Sequence, residues 1–154
     1  IYTILFVGSV RCVIRDRLRE GYIGQFKDCD IYPGYDNNNI KTCVGDLRPD
    51  FIAVNKKTCE WAIVDAKYKH YYNDNCNDIT KDIKEYIKED LKQISLYSTI
   101  DPKKIRTAFK INVELKGYPE LYILFLCDSC ANTPEQIPGF SCIYKVGINI
   151  NLIV

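Results

Sequence analysis

Apolar and polar positions recur along the chain in patterns that predict an ordered series of helices and strands. An apolar residue returns every three or four positions over residues 3–20 and over residues 78–98, which predicts two amphipathic helices, the second capped by Asp78. Residues 120–127 form a near-continuous apolar run, as expected of a central strand covered on both faces. Further strands are predicted at residues 22–32, 106–115 and 140–148.

Two short runs of β-branched and aromatic residues predict a hairpin. They cover residues 49–55 and 59–68, with Lys56 and Lys57 marking the turn between them. Since a helix and a strand precede this hairpin and another helix and strand follow it, the chain is predicted to form an α/β fold with helices flanking a central sheet. Polar loops are expected at residues 33–46 and 71–78.

The composition fits one compact domain. Of 154 residues, 47% are apolar, which excludes a disordered tail. The net charge of +1 excludes a histone-like polycation, so a polyanion would have to bind a local basic patch. No apolar run approaches the roughly 20 residues of a membrane span, and the apolar opening segment lacks the preceding basic residues of a secretory signal. Because the chain starts with Ile and has no Met, we interpret residues 1–154 as a single domain of a longer or trimmed chain.

Eight cysteines bear on the cellular compartment. Cys12, Cys59 and Cys127 lie in apolar segments, where a free thiol behaves as a small hydrophobic group. We therefore expect an intracellular protein whose cysteines are mostly reduced. Cys127 and Cys130 form a CxxC pair, but a tetrahedral zinc site needs four ligands and no second CxxC is present. A zinc site, a redox pair and a secreted disulfide framework are the alternatives.

Two carboxylates are expected to meet at one end of the predicted hairpin. We pair Val54 with Cys59 across a four-residue loop. In that register Asp50 lies opposite Ile63. Asp65 is two residues beyond Ile63, so it points to the same face as Asp50 and becomes its diagonal neighbour, about 7–8 Å away.

A lysine and a carbonyl oxygen complete this constellation. Lys67 has the same parity as Asp65, and the side chain of Ala66 points away while its carbonyl stays available. Two carboxylates and a carbonyl suit Mg²⁺ or Mn²⁺, which can activate a bound water and neutralise the charge of a phosphodiester. A neighbouring lysine can orient that water or stabilise developing negative charge. The alternative is an ordinary strand-end salt bridge, although charges buried unpaired after the apolar run 61–64 would be costly.

Three segments resemble motifs of the PD-(D/E)xK nuclease superfamily. They are GDLRPDFIAV at 45–54, WAIVDAKYK at 61–69 and DLKQISLYS at 90–98, and the likeness extends over residues 1–127. The DAKYK run followed by a D-x-x-Q-x-x-x-Y helix is most similar to nuclease domains of restriction systems, such as the nuclease subunit of methylcytosine-dependent restriction enzymes. The QxxxY element also occurs in RecB-type and lambda-exonuclease-like members.

The resemblance implies a restriction-endonuclease-like core, a mixed central sheet flanked by helices in the order αβββαβ, and a Mg²⁺-dependent deoxyribonuclease activity. Its metal ligands would be Asp50, Asp65 and, through the carbonyl, Ala66. Lys67 would be the catalytic lysine, acting with the two aspartates. Gln93 and Tyr97 lie four residues apart on one helix face, where a half-buried Tyr and an ordinary helix-surface Gln are the alternative interpretation. Residues expected to contact DNA or support the site are Gln93, Tyr97 and Lys69.

One family position has no clear match in this chain. Many members carry a Glu on the first helix near the metal, where this chain has Val7, and Glu20 at the end of that helix is the candidate substitute. DNA would also need cationic contacts, because phosphate neutralisation dominates affinity. Candidate cations are Arg11, Arg15, Arg19, Lys56, Lys57, Lys69 and His70, whereas Lys81, Lys84, Lys88 and Lys92 are interpreted as a solvated helix face.

Three other functional classes stay open at this point. The first is a nuclease of the same fold that acts on RNA or branched DNA, and the second is a non-catalytic nucleic-acid or protein interaction module. The third is a secreted binding domain held together by disulfides. The expected partner is DNA, and domains of this kind often work with a recognition module, a motor module or a second copy.

Overall fold

One mixed sheet organises the chain. The structure, a computed structural model, describes residues 14–21, 23–34, 49–67, 81–127 and 133–149. The strands of these residues are β1 (Asp30–Pro33), β2 (Phe51–Val54), β3 (Trp61–Lys67), β4 (Glu120–Cys127), β5 (Glu135–Gln136) and β6 (Ile143–Asn149). They form a six-stranded sheet in the order β1-β2-β3-β4-β6-β5. The β3–β4 and β4–β6 pairs are parallel and the other pairs are antiparallel, so the predicted α/β class with a mixed sheet is confirmed.

Helices cover both faces of this sheet. Residues 14–19 belong to α1, and α2 (Lys81–Tyr97) and α3 (Pro102–Phe109) follow between β3 and β4. α1 packs on one face through Ile14 and Leu18, while α2 and α3 pack on the other. The parallel β3–β4 pair requires a crossover of this kind, since a tight hairpin can join only antiparallel strands.

The strands send alternate side chains into two separate cores. In β3, Ile63 enters the core beneath α2 and α3, and Val64 enters the core beneath α1. β4 alternates in the same way, which confirms that its apolar run is a central strand covered on both faces. By the same alternation Asp65 and Lys67 belong to the α2 face of the sheet, whereas the side chain of Ala66 packs in the α1 core.

The β2–β3 hairpin forms as predicted, but the expected register is wrong. Val54 pairs with Trp61 rather than with Cys59. The cause is Asn55, whose backbone N–H donates to the carbonyl of Glu60 at 2.9 Å, so that the four-residue loop begins one residue later. The side-chain oxygen of Asn55 also accepts two backbone N–H groups of the turn. The shift moves each pairing by two positions, so it leaves every side chain on its predicted face.

The strand expected at residues 106–115 is wrong, because Pro102–Phe109 form α3. The side chain of Asp101 caps this helix by accepting a backbone N–H at 2.9 Å, and a proline is well suited to a first helical turn. Ile105 and Phe109 are four residues apart and bury the same helix face. Asp101 and Pro102, which look like the end of one helix, therefore also begin the next.

Several other boundaries differ from the expected ones. In place of a strand at 22–32, Gly24–Phe26 form a 3-10 turn before β1. The strand expected at 140–148 is confirmed as β6, which begins at Ile143, whereas β5 was not predicted. The first part of the predicted helix 3–20, the Asp78 cap and most of the two polar loops lie outside the described residues. In the part of the chain that is described, no helix has the length and apolar character to cross a membrane.

Three of the cysteines can be described. Cys29, Cys59 and Cys142 are free thiols. Cys29 is half-buried, and burial together with the nearby negative charges of Asp28, Asp30 and Glu60 raises its pKa to about 11. The side chain of Cys127 and the remaining cysteines lie outside the described part, so the CxxC pair stays a sequence observation.

Candidate functional site

Asp50 and Asp65 lie together at the end of β3 that is remote from the hairpin turn. The pairing of Phe51 with Val64, continued by one residue, places Asp50 directly opposite Asp65 rather than diagonal to it. Both residues are buried, with exposures of 7% and 5%. Asp50 is held by the backbone of β3, because its Oδ2 accepts the N–H of Ala66 at 2.9 Å.

The ammonium group of Lys67 occupies the space beside these carboxylates. Its Nζ lies 2.9 Å from Oδ2 of Asp65 and 3.6 Å from Oδ1 of Asp90. The same nitrogen donates to Oε1 of Gln93 at 3.2 Å. Only 13% of the Lys67 side chain is exposed. Three oxygen acceptors, one from β3 and two from α2, therefore surround this lysine.

Asp90 is a site residue to which sequence reasoning assigned no role. It is part of the D-x-x-Q-x-x-x-Y pattern, and its burial, at 6% exposure, together with its contact with Lys67 shows that it faces the sheet. Asp90, Gln93 and Tyr97 are spaced by three and four residues, so they follow one side of α2. That spacing was the available signal, since it places Asp90 on the same side as two residues already predicted to support the site.

Tyr97 and Gln93 contribute to the site in different ways. Tyr97 is buried in the core beneath α2, and burial together with the charges of Asp65 and Asp50 raises its pKa above the ordinary range. Its position is therefore that of a support for the carboxylates. Gln93 is exposed and contacts Lys67, so it can reach a molecule bound at the surface.

The electrostatics of the site favour an added cation. Burial, and then the hydrogen bond and negative charge of Asp50, raise the pKa of Asp65, whereas Lys67 lowers it. Within the described chain, Oδ2 of Asp65 is buried and has no donor aligned for a hydrogen bond, although Lys67 forms a close ion pair with it. Two buried carboxylates side by side are thus only partly compensated by one lysine.

The donor atoms present are those that a hard divalent ion binds. Residues 14–21, 23–34, 49–67, 81–127 and 133–149 hold no group of three His, Cys, Asp or Glu side chains placed to bind a metal. Mg²⁺, however, keeps several waters and is usually bound by one or two carboxylates. Asp50 and Asp65 supply two. In an extended strand, the N–H and the C=O of one residue point toward the same neighbouring strand. Because the N–H of Ala66 donates to Asp50, its carbonyl also points toward Asp50.

A glycine fixes the backbone that carries Asp50. The N–H of Gly34, which directly follows β1, donates to the carbonyl of Asp50 at 2.7 Å. A Cβ atom at this position would collide with the carbonyl oxygen of Pro49. The close approach of these two backbone segments therefore requires a residue without a side chain.

Several candidate residues are not brought to this site. Glu20 is exposed and forms an ion pair with Arg17 at 3.4 Å on α1, whose core lies on the opposite face of the sheet. Lys56 and Lys57 lie in the hairpin turn, at the far end of β3, where Lys56 pairs with Asp30 at 3.0 Å. Candidates that lie outside the described residues are Val7, Arg11, Lys69 and His70.

Comparison with family models, curated proteins and solved structures finds no match to this chain. The interpretation of the site therefore depends on its geometry and on the short motifs quoted above.

Proposed function

We propose that this protein is a metal-dependent nuclease domain of the restriction type, which hydrolyses phosphodiester bonds of DNA. The supporting observation is the convergence of Asp50, Asp65 and Lys67 at one end of β3, in largely buried positions. The mixed sheet with helices on both faces is compatible with the restriction-endonuclease-like core that the motif resemblance implies.

The two aspartates would hold Mg²⁺ or Mn²⁺ together with the carbonyl of Ala66. When bound, such an ion supplies an acidified water and neutralises charge on the phosphate. Asp50 is prepared for this role by the N–H of Ala66, which fixes one carboxylate oxygen. Asp65 lies opposite, and its Oδ2 has no aligned hydrogen-bond donor among the residues that the structure describes.

Lys67 would act on the reacting phosphate or on the attacking water. Its ammonium is held by Gln93 and the carboxylates, so it is already oriented before substrate binds. A fixed positive charge of this kind stabilises negative charge that develops on a phosphate oxygen, and it requires little reorganisation in a site from which water is excluded. Gln93, which is exposed beside it, is placed to contact the nucleic acid.

Metal binding and DNA nicking by Asp65→Asn and wild type test this proposal. The amide keeps the shape of the side chain but is a poor ligand for Mg²⁺, so calorimetric Mn²⁺ binding and metal-dependent plasmid nicking should both be lost. Glu60→Gln is the matched control, because it removes an exposed carboxylate near the other end of β3 and should leave both measurements unchanged.

The outcomes separate the alternatives. Undiminished nicking by Asp65→Asn would refute the assigned site. A wild type that binds no Mn²⁺ and cleaves nothing would instead favour a non-catalytic interaction module. Offering RNA and branched DNA in the same assay determines whether linear duplex DNA is the preferred substrate.

A further inference from the structure

Lys67 and a metal ion would compete for the same carboxylate. The ammonium nitrogen of Lys67 lies 2.9 Å from Oδ2 of Asp65, an oxygen for which the described part of the chain provides no aligned hydrogen-bond donor. A divalent ion on Asp65 would draw on this carboxylate and repel the ammonium at short range. The lysine can stay in the site only if another acceptor compensates its charge, because an unpaired buried charge is costly.

Asp90 is placed to be that acceptor. Its Oδ1 lies 3.6 Å from Nζ of Lys67, on the α2 side of the lysine, and Asp90 is as buried as the two strand carboxylates. Gln93, one helical turn further along α2, accepts a hydrogen bond from the same ammonium at 3.2 Å. A short movement of Nζ toward α2 would exchange its contact with Asp65 for a closer one with Asp90.

We propose that Asp90 is a positioning residue that holds Lys67 when Asp65 binds a metal ion, so that the lysine and the metal occupy the site together. This inference rests on the proposed nuclease function and deepens it, because it assigns to a helix carboxylate the task of relieving competition between the two cations. Asp90 itself touches neither substrate nor metal.

A double-mutant cycle measured by Mn²⁺ affinity tests this role without any cleavage assay. Asp90→Asn should weaken Mn²⁺ binding about tenfold, as is typical when a partner behind a metal site is lost, since Lys67 then stays with Asp65. In a Lys67→Met background there is no ammonium to relocate, so the same substitution should leave the Mn²⁺ affinity unchanged. Such a difference between backgrounds isolates the part of the effect that passes through Lys67.

Two further variants serve as controls. Asp90→Glu keeps the negative charge and should restore most of the Mn²⁺ affinity. Glu89→Gln removes a charge from the exposed side of the same helix and should leave the affinity unchanged. Circular dichroism verifies folding, and Asp90→Ser replaces Asp90→Asn if the amide is not tolerated.

Each outcome decides a different question. Equal weakening in both backgrounds would mean that Asp90 acts directly on the metal as a distant charge, and no weakening in either would mean that it is structural; both results overturn the inference. If wild type binds no Mn²⁺, the proposed function fails and the inference fails with it.

Discussion

The two ends of β3 treat polar groups in opposite ways. At the turn end, Lys56 is exposed and pairs with Asp30 in solvent, and the side chain of Asn55 bonds to backbone N–H groups that the turn leaves unpaired. At the other end, Asp65 and Lys67 are largely buried and form an ion pair, which compensates the two buried carboxylates only in part. The turn end thus has the polar groups that a hairpin needs in order to close, whereas the other end has charges that hairpin closure does not require.

This difference indicates which end of β3 has residues suited to stability and which end has residues suited to a function. Replacing a buried ion pair by well-packed apolar side chains is often neutral or stabilising, so Asp65 and Lys67 are poor choices for stability alone. Local choices that work against stability tend to cluster at functional sites. The charged end of β3 is therefore the end at which substitutions should affect activity, and the turn end is the one at which they should affect stability.

Among variants that keep both aspartates, the largest expected effect is the loss of cleavage rate in Lys67→Ala. Loss of one oriented electrostatic group typically lowers the rate about 10²–10³-fold. Mn²⁺ binding should persist or tighten, because a competing cation has been removed from Asp65. Single-turnover nicking and calorimetry measure the two effects separately. An unchanged cleavage rate would mean that Lys67 is only a structural salt-bridge partner, and the charged end of β3 would then have no functional distinction from the turn end.

The pH dependence of stability should also distinguish the buried end. Burial and Asp50 raise the pKa of Asp65 above its ordinary 3.8, to about 7. Between these two pKa values, Asp65 is protonated in the metal-free folded state but ionised in the unfolded state. This contribution to stability is complete below the unfolded pKa and is lost as the pH rises through the folded one. The melting temperature in EDTA should therefore fall between roughly pH 4 and pH 7.

Asp65→Asn serves as the control for this titration. It removes the titrating group, so its melting temperature should vary less over the same pH range than that of wild type. Identical slopes in the two proteins would show that Asp65 ionises normally in the fold and would contradict the description of this end as poorly compensated.

A stability effect without an activity effect is expected at the turn end. The indole N–H of Trp61 donates to the carbonyl of Gly117 at 3.2 Å. Trp61→Phe keeps an aromatic ring in the core but removes this bond, which should lower the free energy of unfolding by about 1 kcal/mol in urea titrations. The cleavage rate of the folded variant should equal that of wild type. A large loss of rate would show that the two ends are coupled.

The smallest effect is expected from Lys56→Ala. This lysine is exposed and its ion pair with Asp30 is screened by solvent, so its removal should leave the melting temperature unchanged within error. DNA affinity should also be unchanged, because the turn is at the far end of β3 from the proposed site. A clear loss of DNA binding in a filter-binding assay would show that the hairpin turn contacts DNA.

The sequence predicted that Asp50 and Asp65 lie side by side more reliably than it predicted the strand register that brings them together. Asp50 and Asp65 share a face because strand periodicity is two, and the register error introduced by Asn55 was also two. An error of one would have separated them. The prediction that the two carboxylates share a face therefore depends only on whether the register shift is even. That they lie directly opposite each other depends on hydrogen bonds of the turn, which the composition does not reveal.

The features that sequence reasoning missed depend on contacts between distant segments. An aspartate on an amphipathic helix is ordinarily at the surface, so the burial of Asp90 follows only from the packing of α2 against β3. α3 was missed for a different reason. Pro102 is as good a first helical residue as it is a helix terminator, and the side-chain cap from Asp101 decides between the two.

Gly34 makes the site vulnerable at a position that carries no chemistry. Because its backbone bonds to that of Asp50 and no side chain fits beside Pro49, any replacement must move the segment that carries Asp50, a carboxylate of the proposed metal site. In a mutational scan selected for nuclease activity, we therefore expect position 34 to be as intolerant as the aspartates themselves. A designer who transplants the hairpin and helix without the end of β1 would copy every side chain of the proposed site and still lose the backbone support of Asp50.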